Sequence, residues 1–135
     1  MKLKNIFFIL AFVALFIIGC NSNPEEVIVG QWQLSDITLD PQPKDISNED
    51  YKAYIDELIS NTSIEFKNDF SYVQFSNGNQ TKGTWTILAE GAQIQQTDET
   101  SGSKVIMNID NLSTSDLVLA SKDGDIVTKM IFIKK

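Results

Sequence analysis

The chain has 135 residues, of which 42% are apolar, and 18 acidic side chains against 11 basic ones give a formal charge of −7. That length holds one domain, and the acidic balance offers no basic patch for phosphates, so nucleic acid is not an expected partner. Histidine is absent and cysteine occurs once, which excludes histidine-based nucleophilic catalysis, the usual zinc sites and an intrachain disulfide.

Taken in chain order, the first element is an export signal. Lys2 and Lys4 precede an unbroken apolar run from Ile6 to Ile18, followed by Gly19 and Cys20. A basic start, a short apolar centre and a small residue before the cut are the parts of a secretory signal, and the run is short for a membrane span of about 20 residues. Ile17-Ile18-Gly19-Cys20 fits the bacterial lipobox, in which cleavage precedes a cysteine whose sulfur carries the lipid. The expectation is a signal peptide over 1–19, lipidated Cys20 and a polar tether over 20–26, with the membrane as a partner through the acyl chains. Asn21, rather than Asp, points to the outer membrane by the usual sorting rule. Removing residues 1–19 takes Lys2 and Lys4 away and moves the charge to about −9.

Residues 27–135 form the expected domain, and strand signals dominate it. In "VIVGQWQLSDI" (27–37), Ile28, Gly30, Trp32 and Leu34 share one face at period 2. The two prolines of "DPQPKDI" (40–46) mark a loop. Ser47 and Asp50 resemble a capping box, and Tyr51, Tyr54, Ile55, Leu58 and Ile59 recur at helical spacing, which predicts a helix over 48–60. Strands are then expected at 62–66, 70–75, 81–88, 92–97, 104–110, 116–121 and 125–134. Their turns fall at Asn68-Asp69, Asn77-Gly78, Glu90-Gly91, 98–103, 111–115 and Asp123-Gly124. The fold class is all-β: about eight antiparallel strands in an up-and-down barrel or sandwich, with one short helix between the first two strands.

"VGQWQLSDI", "IEFKNDFSY", "GTWTI" and the terminal "DLVLASKDGDIVTKMIF" together resemble the lipocalin-like domains of small bacterial lipoproteins. Those domains open with Gly-x-Trp, matched here by Gly30 and Trp32, and end in a hairpin turning on Asp-Gly. The resemblance covers nearly all of the chain after Cys20. It implies a closed lipocalin-like barrel, often with a cavity, and a Trp32 that packs across the closed end beneath an arginine from a late strand. This chain contains no arginine; Lys129 and Lys134 are the candidates for that place, without the planar guanidinium that stacks on an indole.

No catalytic group, metal site or cofactor motif emerges. Asp56, Glu57, Glu65, Asp69 and Glu90 lie in polar stretches with no motif that sets two across a cleft, and "KDGD" (122–125) lacks the ligand spacing of a calcium loop. The sequons at Asn61, Asn79 and Asn111 read as turn chemistry. The candidate barrel-lining residues are Trp32, Phe66, Phe70, Tyr72 and Trp85. They either line an apolar cavity for a small hydrophobic or amphipathic ligand or fill a packed barrel that docks on an envelope protein or inhibits an enzyme. A cavity of about 300 Å³ or more, open at one end, favours the first reading.

Overall fold

Alternating apolar side chains need one buried face, and eight successive strands with that pattern bury it by closing on themselves. The computed structural model describes residues 23–135; the expected signal peptide and Cys20 lie outside the described residues. The strands are β1 (Gly30–Asp40), β2 (Thr62–Phe66), β3 (Ser71–Ser76), β4 (Asn79–Leu88), β5 (Gln93–Asp98), β6 (Lys104–Leu112), β7 (Asp116–Asp123) and β8 (Ile126–Lys134). Each pairs antiparallel with the next, and β8 returns to β1 to close the barrel. Two helices accompany them: α1 (Pro24–Ile28) and α2 (Asn48–Asn61).

Strand bounds after the first agree with the sequence reading within two residues. The first strand is displaced. Residues 24–28, expected as the end of a tether and the start of a strand, form the single helical turn of α1. Its Asn23 side chain caps the Glu25 amide, and Pro24 occupies the first turn, where its missing N–H costs nothing. Ile28 at the end of that turn is fully buried, so α1 is a lid on one barrel end.

Two bulges keep the inward face apolar where simple alternation would fail. Register slips between Leu34 and Asp36, so that Trp32 and Leu34 point inward before the slip and Ile37, opposite Met130, after it. A second slip between Ile109 and Asn111 does the same for Ile109 and Leu112, which face Leu119 and Leu117. Asn77 (φ 49°) and Gly78 (φ 80°) make the expected two-residue hairpin between Ser76 and Asn79. The last hairpin turns on Gly124-Asp125, one residue later than expected, because Asp123 still pairs with Ile126.

Ser47 caps α2 through the Asp50 amide, and Lys52 pairs with Asp56 one turn on. Of its apolar stripe, Ile55 is buried, Leu58 and Ile59 pack on the core, and Tyr54 stays 53% exposed. β1 pairs with β2 only over Gly30–Gln33, whereas its ladder with β8 runs on to Asp40. In the gap that this leaves, α2 packs against β1 and touches β3. The Gln33 amide donates to the Ile59 and Thr62 carbonyls and ties the helix end to the barrel.

The closed end is built around Trp32, which has no solvent exposure and whose indole N–H donates to the Ile28 carbonyl at 2.8 Å. The place of the family's arginine is taken by Lys134, not Lys129. The Lys134 ammonium lies 5.2 Å from the Trp32 ring centroid and donates to the Val27 carbonyl at 3.1 Å. Lys129 instead meets Asp110 at 3.2 Å on the outside. Gly30 is required beneath this arrangement: its φ is +140°, and a Cβ there would stand 2.5 Å from Lys134 Cε.

Replacing Lys134 with Met keeps the stem but loses a charged hydrogen bond and the cation over the ring, an expected destabilisation of about 1–3 kcal/mol in denaturant unfolding. Gly30→Ala should cost less in a Lys134→Ala background than alone, with a coupling of about 1 kcal/mol in a double-mutant cycle. Additive effects would show that the Gly30–Lys134 contact carries no stability.

Candidate functional site

The barrel interior is solid in its closed half and open in the other. Along β5 the inward positions run Ile94, Gln96, Asp98: an apolar residue with no exposure, a buried amide, and a half-buried carboxylate at the rim. Above the level of Ile94 the side chains no longer meet, and a cavity of about 390 Å³ opens. It reaches solvent beside the β5–β6 loop, where Ser101 and Ser103 are exposed and the inward-facing Val105 is 50% exposed.

The wall divides by strand. β3, β4, β5 and the β5–β6 loop contribute Tyr72, Gln74, Thr81, Gln96, Asp98, Ser101 and Ser103. β2, β6, β7 and β8 contribute Ile64, Val105, Met107, Leu119, Met130 and Phe132. One half is polar and the facing half is apolar.

Three polar groups define the chemistry of this space. Gln96 is 6% exposed, and its Nε2 donor is buried without a hydrogen-bond partner; such a group destabilises a fold by about 1–3 kcal/mol. Asp98 Oδ1 accepts from the Thr100 amide at 2.7 Å and the Ser101 amide at 2.9 Å, which orders the loop at the mouth. Those amides, Ser101 first, hold its carboxyl below the ordinary value of 3.8, so the mouth carries a fixed negative charge at neutral pH. Burial, and then the Asp98 charge, push the Tyr72 phenol above its ordinary value and keep it a neutral hydroxyl. Gly83, opposite both Tyr72 and Asp98, provides the close packing here. A Cβ at Gly83 would stand 2.9 Å from Tyr72 Cε1 and collide with the Thr97 carbonyl.

Of the five residues expected to line the barrel, only Tyr72 borders the cavity. Trp32, Phe66 and Trp85 are at most 3% exposed and fill the closed half. Phe66 meets Trp85 edge-on at 5.7 Å, and the Trp85 N–H donates to the Ser71 and Lys67 carbonyls. Phe70 corrects the expectation. It precedes β3, has φ 65° in the β2–β3 turn, and stands 44% exposed with its ring 5.0 Å from that of Trp85. It covers a shallow groove between α1 and this turn, outside the barrel.

Two strands apolar on both faces, "FSYVQF" and the end of β8, take their inward side from register. Tyr72 and Gln74 point inward, while Val73 and Phe75 point out; Met130 and Phe132 point inward, while Ile133 is 48% exposed outside. α2 does not cover Ile133, since it packs on β1 and β3.

Asp56, Glu57, Glu65, Asp69 and Glu90 do not border the cavity, whose one carboxylate is Asp98. Asp69 instead caps its own turn through the Ser71 hydroxyl and amide. Among the described residues no group of three or more Asp, Glu, Cys or His could hold a metal ion, and no helix is long and apolar enough to cross a membrane.

Sequence reasoning followed the aromatic rings and missed Gln96, Asp98 and the methionines. A signal existed: Ile94 fixes the inward parity of β5, and positions 96 and 98 follow at period 2.

No curated protein matches the chain. Among solved structures it is similar to an uncharacterised protein of Bacteroides eggerthii (14% identity, 80% of this chain and 99% of that one, TM-score 0.56). It is also similar to a lipocalin-like protein of Bacteroides uniformis (20% identity, 81% and 99%, TM-score 0.53). A third likeness is to a DUF4847 family protein of Bacteroides vulgatus (16% identity, 84% and 98%, TM-score 0.57). At these identities the likeness is one of fold. The family model for the lipocalin-like domain matches residues 28–119, a span from the buried Ile28 of the lid to Leu119 of the cavity wall, and the chain belongs to the lipocalin-like domain family.

Proposed function

We propose that the protein is a non-enzymatic lipoprotein of the cell envelope, tethered to the outer membrane through Cys20, whose barrel binds a small amphipathic ligand. The cavity carries this reading: about 390 Å³ open at one end, with a buried, unpartnered amide donor on its polar wall. Small-molecule sites have this size and this mixture of apolar wall and few placed polar groups. The signal run and the lipobox support the lipid anchor at Cys20.

Native mass spectrometry of the protein extracted from its own envelope should show a bound small molecule in addition to the acyl chains. A protein of bare mass that also fails to shift with a lipid panel would count decisively against the binding reading. Fatty-acid labelling should mark the wild type and not Cys20→Ala; label retained by Cys20→Ala would remove the lipoprotein assignment.

Gln96→Leu should stabilise the ligand-free protein by about 1 kcal/mol, a rise in Tm of roughly 4 °C. A fall in Tm would mean that the amide is already satisfied.

A further inference from the structure

The charge and the two-sided wall of the cavity also restrict what can occupy it, given the binding reading above. None of its lining residues is basic. Lys82 and Lys104, the lysines nearest the mouth in sequence, occupy outward register positions opposite Val73 and Thr97. The one charge inside the rim is the Asp98 carboxylate, and two backbone amides fix it in place. An anion held here would sit beside a like charge with no counter-ion among the lining residues, a repulsion that disfavours it and that added salt screens. The deeper group, the Gln96 side-chain amide, is neutral and offers both a donor and an acceptor. Gln96 and Asp98 are two residues apart on one face of one strand, a step of about 7 Å. Across from them Met107, Leu119, Met130 and Phe132 form a continuous apolar surface with two adaptable thioethers.

We propose that the cavity selects uncharged or cationic amphiphiles, which set a neutral polar group against the Gln96 amide, a donor or cation beside Asp98 and an apolar body on the β6–β8 wall, and that it rejects fatty-acid-like anions. The barrel is thereby a different kind of container from one that holds a carboxylate on buried basic residues.

Three probes that share an acyl chain and an amide carbonyl isolate the terminal charge: N-(2-aminoethyl)octanamide, N-(2-hydroxyethyl)octanamide and N-octanoylglycine. In isothermal titration at pH 7 with the full protein, the first two should bind at least tenfold more tightly than the third. Asp98→Asn keeps the oxygen that accepts from the loop amides and should bring the glycine conjugate to within about threefold of the hydroxyethyl probe. Gln96→Leu should weaken the two favoured probes by about tenfold, while its thermal unfolding shows that the barrel is intact. Equal or tighter binding of N-octanoylglycine to the wild type overturns the selection and leaves the cavity a binding site. Absence of binding by all three probes also overturns it, and the native mass spectrum then decides the binding reading on its own.

Discussion

The contact on which the rest of the barrel depends joins three parts of the chain at one end. Lys134 crosses above Gly30, places its ammonium over Trp32 and donates to the last turn of α1 through Val27. The same indole donates to Ile28, so the first helix is fastened to the barrel twice. The last strand is thus locked against the first, and the β1–β8 ladder that closes the barrel starts in register from Trp32–Lys134. A lysine can serve where the family pattern has an arginine because one donor suffices for one carbonyl, and the indole face attracts an ammonium even without the stacking that a guanidinium adds. The glycine of the Gly-x-Trp motif follows from the same contact: it keeps the path of the lysine stem clear.

Locking one end permits the other to remain unfilled. Aromatic mass concentrates near the lid, where Trp32, Phe66 and Trp85 bury their rings and the two indoles donate to nearby carbonyls. The opposite half holds Tyr72 as its one bordering aromatic alcohol and, beyond it, a carboxylate and an unpartnered amide that a solid core would not keep. Support and recognition are therefore separated along the barrel axis, and a substitution such as Gln96→Leu at the open half leaves the contacts of the lid untouched.

The eight strands, the intervening helix and most turns were legible because each rests on local pattern: period-2 alternation, a capping serine, Asn-Gly and Asp-Gly dipeptides. The displaced start of β1 was less legible. Val27-Ile28-Val29 reads as strand by composition, but Asn23 and Pro24 start a helical turn just before it that runs to Ile28, whose side chain docks under the barrel. The bulges at Ser35 and Asp110 were hidden for a related reason, since a slip in register shows only against the partner strand. The site was legible least. Five of the six residues of "QIQQTD" are polar, so hydropathy does not separate the face that carries Gln96 from the one that carries Gln93 and Gln95. Ile94 alone sets the parity. Ring size was a poor guide to lining because large rings go where the barrel must be sealed.

The short β1–β2 pairing has a further consequence for how the molecule behaves among its neighbours. Beyond Gln33 one flank of β1 has no strand beside it, and an exposed flank of that kind invites a strand from another molecule. α2 lies along that flank, and the Gln33 amide grips two carbonyls at the helix end. The insertion that distinguishes this barrel between its first two strands is thus also its guard against strand exchange. Among the described residues, the ring of strands is closed and its one unpaired flank has a helix packed against it.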